Sequence, residues 1–302
     1  MVGFGQKGFE GTMAMKIPKY WAKATAEETD VDGQKIAFTC WRWADESQAQ
    51  AEQAARAAAA RAINKLLGGV QLDRYAYGQC PLREEVLNQV AGADGNPMMA
   101  VTRNRYGAIV LNTARAAFID LDFPPVSAGE QIGRLFAWLF GKPKVSPETR
   151  QELEIRNRIE QFTVDHPGVG FRIYRTRAGM RALATSGLFE PTASETIEML
   201  QQLNADPLYL RLCKGQGCFR ARLSPKPWRC GCQPNRVAWP WEDEDARVGF
   251  ERWEADYAER QKQFATCRFV AAVGNPQIHP ELPPVIQLHD QITRCDADLP
   301  LA

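Results

Sequence analysis

An apolar run in the sequence closes on two aspartates, Ala116-Ala117-Phe118-Ile119-Asp120-Leu121-Asp122-Phe123-Pro124. In a β-strand, alternation places Asp120 and Asp122 on one face. Two adjacent carboxylates repel unless a positive charge stands between them. Hard divalent cations take such oxygens, so the pair points to a divalent metal. The plainer alternative is a strand running out into solvent, with one aspartate exposed and the other at a turn. A second stretch, Arg175-Thr176-Arg177-Ala178-Gly179-Met180-Arg181, is a Gly-containing turn flanked by Arg and Thr. Backbone N–H groups, a hydroxyl and fixed positive charge suit a phosphate. A third begins at Asp206 and continues through Phe219-Arg220-Ala221-Arg222-Leu223-Ser224-Pro225-Lys226-Pro227-Trp228-Arg229. Arg220 and Arg222 alternate and share a face, and Lys226 and Arg229 follow. A solvated surface strand would account for it equally simply.

In this order the three stretches resemble the archaeo-eukaryotic primase superfamily, which includes the primase-polymerases. That family carries hydrophobic-Asp-hydrophobic-Asp at a strand end, as Ile119-Asp120-Leu121-Asp122 does here. It then has a Ser-Gly-x-x-Gly-x-His hairpin. Gly179 matches its second Gly, Thr176 stands where the first Gly falls, and Arg181 stands where the family has His. A third acid follows in the family, ahead of a strand with Arg, Ser and Lys; Asp206, Arg220, Arg222, Ser224 and Lys226 are similar in order and distance. The resemblance covers residues 98–230. It implies an RRM-like antiparallel core and two-metal nucleotidyl transfer. Asp120, Asp122 and Asp206 would hold Mg²⁺ or Mn²⁺. Arg175, Thr176, Arg177, Gly179, Arg181, Arg220, Arg222, Ser224 and Lys226 would meet nucleotide phosphates. The partners would be nucleotide and single-stranded nucleic acid. Arginine binds phosphate through its planar fork, so Arg181 can stand for the family's His in binding, whereas competence in catalysis does not follow.

A rival class is a non-catalytic nucleic-acid- or partner-binding module. Four cysteines, Cys213, Cys218, Cys230 and Cys232, crowd around the basic segment as Cys-x4-Cys and Cys-x-Cys. Four thiolates can hold a tetrahedral structural zinc, although these gaps depart from the usual two-residue spacing. Reduced, half-buried thiols are the alternative. His166, His279 and His289 stand far apart, and neither a Walker loop nor a dinucleotide Gly motif occurs.

The elements around these residues predict an α+β fold, with helices packed on a mainly antiparallel sheet. Asp-Gly at 32–33 marks a hairpin between strands at 16–27 and 34–43, whose Tyr20, Trp21, Phe38, Trp41 and Trp43 could stack bases or build core. An Ala-rich helix follows over 47–67, capped by Ser47 and ended by Gly68-Gly69. Residues 81–90 read as a short helix with Pro81 at its start. Strands are expected at 98–102, 107–112, 115–123, 170–175, 180–185 and 266–273. Helices are expected at 129–141, 147–165, 192–203 (with the capping box Thr192-x-x-Glu195), 243–264 and 284–293. Two short runs, 208–212 and 219–223, stand between. One domain over 16–302 is expected: hairpin and helix (16–69), core (70–230), and a helical, Pro-rich extension (231–302), after a flexible start at 1–15.

Composition bounds the alternatives. The 302 residues carry 37 basic and 36 acidic side chains, a net charge of +1, so any polyanion site must be local. No apolar stretch approaches the roughly 20 residues that span a bilayer. Eight cysteines are too sparse for a disulfide scaffold. The first residues lack the apolar core of a signal peptide, so the cytoplasm is the expected location.

Overall fold

The computed structural model describes residues 15–30, 32–70, 80–92, 95–124 and 147–302. The expected flexible start, save Met15, and the expected helix over 129–141 lie outside them. The class is α+β, as expected: helices pack on antiparallel sheets.

The hairpin of β1 (Tyr20–Thr29) and β2 (Lys35–Ala44) turns on Asp30, whose carboxylate accepts the N–H groups of Asp32 and Gln34 at 2.9 and 2.7 Å. Helix α1 (Gln48–Leu67) is capped by Ser47, which accepts from the N–H of Gln50. It buries Ala51, Ala55, Ala58, Ala59 and Ile63. Side chains this small let the helix lie close on Ala22, Ala24 and Cys40 of the hairpin. Trp21 is buried and rests against Trp43, as core.

Two four-stranded antiparallel sheets carry the rest. The first runs β10 (Cys267–Gly274), β7 (Gly170–Thr176), β8 (Gly179–Ala184), β6 (Phe118–Asp122). The strand of Asp120 therefore lies beside the expected hairpin and forms a sheet edge. The second runs β3 (Glu85–Ala91), β4 (Pro97–Arg103), β5 (Ile109–Thr113), β9 (Phe219–Arg222), with β9 at its edge. Helix α2 (Pro147–Asp165) covers the face of the first sheet that holds Phe171 and Arg175; Phe162 meets Phe171, and Glu152 pairs with Arg175. Helix α6 (Pro283–Thr293) serves the other face through His289 and Asp290. Between these come α3 (Ser194–Gln202), α4 (Pro207–Gln216) and α5 (Glu244–Gln261).

Gly179 is dictated by contact rather than by dihedral: a Cβ there would stand 2.4 Å from the carbonyl oxygen of Leu121. Only glycine lets β8 approach β6 at the aspartates.

Two expectations change, and one unassigned run takes a form. Residues 81–90 hold strand β3, not a helix. Val86 and Val90 pair with Thr102 and Met99 of β4, through a turn that ends on Gly95 at φ 78°. Cross-strand burial outweighs the helix-start signal of Pro81. Helix α3 starts at Ser194 after Ala193, with no side-chain cap; Thr192 instead sits in a turn closed by the Ala193 N–H on the Glu190 carbonyl. The run at 208–212 is helical, inside α4, with Pro207 at its first turn.

Candidate functional site

The site forms where the two sheet edges meet. Strand pairing sets Asp120 directly opposite Arg181 on β8, and Arg181 opposite Tyr174 on β7. Facing residues of an antiparallel pair share a sheet face, so Asp120, Arg181 and Tyr174 form a row. Arg181 is 1% exposed. Its Nε stands 3.5 Å from Asp120 Oδ1, and one terminal nitrogen donates to the Arg222 carbonyl at 2.9 Å and to His289 Nε2 at 3.4 Å.

Behind it, His289 Nδ1 donates to Asp290 at 2.9 Å. This proton placement follows from chemistry: arginine only donates and a carboxylate only accepts, so the neutral ring must carry its hydrogen on Nδ1. Burial pushes the His289 pKa down to about 4, against the pull of Asp290. Asp290 also accepts from Tyr174 and Arg172, at 2.8 and 2.7 Å. The chain Asp290–His289–Arg181–Asp120 thus passes through the core between two partly exposed carboxylates. The sequence placed Arg181 on a phosphate; its burial and partners make it the residue that positions Asp120 and ties β8 to β9.

Asp206 reaches the site through its backbone, its N–H donating to the Asp120 carbonyl at 3.2 Å. Its carboxylate caps α4, one oxygen accepting from Leu208 and the other from Tyr209. Asp122 stands exposed at the end of β6. Its pKa is raised, first by desolvation and then by the charges of Asp120 and Asp206, with Lys226 and Arg222 opposing. Thus the three acids do share one electrostatic neighbourhood.

Facing them, Arg220 and Arg222 share the cleft face of β9. Together with Asp120, Tyr209 and Tyr106 they line a cleft of about 460 Å³, within the range of small-molecule sites. Arg220 donates twice to Glu84, at 2.7 and 2.9 Å. Glu84 is 5% exposed and also takes the Thr102 hydroxyl at 2.6 Å. Beyond β9, desolvation lowers the pKa of Lys226 and of Arg229, and the charge of Arg222 lowers both further.

Other expected phosphate ligands have different duties. The Ser224 hydroxyl is buried, accepting from the Ile109 N–H at 2.8 Å and bonded to the Tyr257 hydroxyl. Arg175 pairs with Glu152, donates to the carbonyls of Thr176 and Gly179, and stacks on Phe123. Thr176 is buried, while Arg177 is exposed, within electrostatic reach of Arg229.

The four cysteines do not come together as a tetrahedral group. Cys213 lies in the main core, Cys218 is fully buried, and Cys230 and Cys232 belong to a small cluster with Tyr257. Burial raises the pKa of all four thiols, Cys218 to about 12. Among the described residues no group of three or more His, Cys, Asp or Glu is placed to hold a metal ion.

The sequence reasoning missed Arg83, Glu84, Arg105, Tyr106 and Tyr209 in the cleft and His289 behind it. Arg83 and Glu84 were hidden by the helix expected over 81–90. Tyr209 was legible only once Asp206-Pro207 is taken as a helix start, which puts its hydroxyl on the Phe118 carbonyl. Among the described residues, no helix is long and apolar enough to cross a membrane. Compared with family models, curated proteins and solved structures, the chain matches none.

Proposed function

We propose that the cleft binds a nucleoside triphosphate together with Mg²⁺ or Mn²⁺, as in the primase-polymerase superfamily that the sequence resembles, and that the protein is a divergent nucleotidyltransferase or a nucleotide-binding relative. One observation carries this reading: edge strands β6 and β9 bring Asp120 and Arg222 onto a single cleft, with Asp122 within electrostatic reach of Asp120, Arg222 and Lys226. The donor set fits the metal in a limited way. Asp206 is engaged as a helix cap, which leaves a pair of carboxylates rather than a three-acid cage. Mg²⁺ commonly binds through one or two carboxylates plus substrate phosphates, and that is the arrangement the pair allows. The ion would stabilise charge on the phosphates and lower the pKa of an attacking hydroxyl. Arg222, Lys226 and Arg229 would neutralise the remaining charge, and Arg181 would hold Asp120 in place. Because the cap removes one ligand, binding without turnover is the second form of the same proposal. We place the protein in the cytoplasm; its eight cysteines, all unpaired, suit a reducing compartment.

Asp122→Asn separates this site from a structural acid pair. The raised pKa of Asp122 means that its charge opposes folding at neutral pH. The variant's stability is expected to be level with the parent's or higher by up to about 0.5 kcal/mol, a surface-scale effect. Protonation of the parent restores what the charge loses, fully so below the ordinary aspartate value of about 3.9, so the gap closes there. Thermal melts from pH 3 to 8 check this. At neutral pH, Mn²⁺ plus a non-hydrolysable triphosphate is expected to raise the parent's melting temperature and leave the variant's unchanged. A destabilised variant, with no ligand-induced rise in the parent, overturns the proposal.

A further inference from the structure

Trp228 is the one aromatic side chain among the described residues that is exposed, at 48%. An indole left in water is not explained by packing, because the main core and the satellite clusters all lie elsewhere. Its support is rigid. Trp228 sits on a 3₁₀ turn, Pro227–Arg229, with proline at its first position. The Pro227 carbonyl accepts from the N–H groups of Cys230 and Cys232 at 3.1 and 2.9 Å, and Tyr257 donates to the Pro225 carbonyl. A platform held this way loses little freedom on binding.

The surroundings of the ring indicate the ligand. Tyr106 meets it edge-on at 5.2 Å, and the Lys226 ammonium stands 5.6 Å from its centroid. Arg229 follows at the next position, within electrostatic reach of Arg222 and Arg177. Tyr106 also lines the cleft, whereas Trp228 stands outside it. The platform therefore adjoins the cleft through Tyr106. A flat π-face among crowded cations matches a chain of phosphates bearing bases, since stacking is sequence-tolerant and the cations track the backbone.

We propose that Trp228, with Lys226 and Arg229, forms a stacking platform for single-stranded nucleic acid beside the cleft. The platform deepens the cleft reading but binds a different ligand, so each can fail alone. The probe is a fluorescein-labelled oligothymidylate of about twelve nucleotides, read by anisotropy on the full chain, beside an abasic strand of equal length and a polyglutamate peptide. The parent is expected to bind the oligothymidylate more tightly than either control. Trp228→Ala should weaken oligothymidylate binding roughly tenfold or more and leave abasic binding unchanged, while Trp228→Phe should retain most of the affinity. Arg229→Ala should lower the salt slope by about 0.7, the value for one phosphate contact to a single strand. A matching melting temperature for Trp228→Ala excludes misfolding. The platform is overturned if Trp228→Ala binds oligothymidylate like the parent, or if the abasic strand or polyglutamate binds the parent as tightly. Oligothymidylate binding that persists where triphosphate binding is absent overturns the cleft reading and keeps the platform.

Discussion

Arg181→Ala is expected to lose about 3–5 kcal/mol of folding stability. The guanidinium is among the largest fully buried side chains of the protein, so truncation opens a cavity between β8, β9 and α6. It also leaves the Arg222 carbonyl and His289 Nε2 without their donor. Buried acceptors stripped of a partner cost roughly 1–3 kcal/mol each. Asp120 loses its cation as well, leaving Arg222 and Lys226 to offset the repulsion between the two aspartates. Arg181→Lys is expected to recover little, because a single ammonium cannot reproduce the fork that reaches Asp120, the Arg222 carbonyl and His289 together. Guanidinium chloride melts with an unchanged slope check the figure. A stable Arg181→Ala protein that has lost only its triphosphate affinity would return Arg181 to the role of a phosphate ligand.

Glu84→Ala is expected to be as damaging, at about 3–5 kcal/mol. Glu84 is nearly as deeply buried as Arg181, and its two oxygens both accept from one terminal nitrogen of Arg220 while one also takes the Thr102 hydroxyl. Thr102 in turn accepts from Asn112 at 2.9 Å, so the carboxylate anchors a polar chain across the face of the second sheet. Removing it leaves a positive charge desolvated at the cleft floor, which is far costlier than removing both partners. The double variant Glu84→Ala, Arg220→Ala is therefore expected to be more stable than the sum of the single losses, by a coupling of roughly 0.5–3 kcal/mol. Strict additivity in that cycle would show that the pair contributes nothing specific.

The local signals that reached the structure were those with a short-range cause. Ser47 and the alanines that follow specify α1 by capping and propensity, and the apolar run at 116–123 specifies β6. Asp120 with Asp122, and Arg220 with Arg222, were legible as shared faces because alternation needs no knowledge of the partner strand. What the sequence hid depends on long-range contact. Arg181 looks like any turn-flanking arginine until β6 lies beside β8 and His289 arrives from a helix more than a hundred residues later. Glu84 is ordinary in sequence and becomes part of the site through β9. The four cysteines were misleading for the converse reason: proximity along the chain did not survive folding, since α4 and β9 carry Cys213 and Cys218 inward while the turn after β9 carries Cys230 and Cys232 to α5. Asp206-Pro207 carries a helix-start signal as well as an acid, and in the fold the carboxylate caps α4.

The central claim is that Asp120 and Asp122 face a triphosphate held by Arg222 and Lys226. A crystal of the full chain grown with Mn²⁺ and a non-hydrolysable nucleoside triphosphate tests it most directly, read by the anomalous signal of the metal. The predicted result is a manganese peak at roughly 2.0–2.3 Å from carboxylate oxygens of Asp120 and Asp122, with the phosphates against Arg222. A triphosphate bound elsewhere, or a cleft empty of both metal and nucleotide at millimolar ligand, would contradict it.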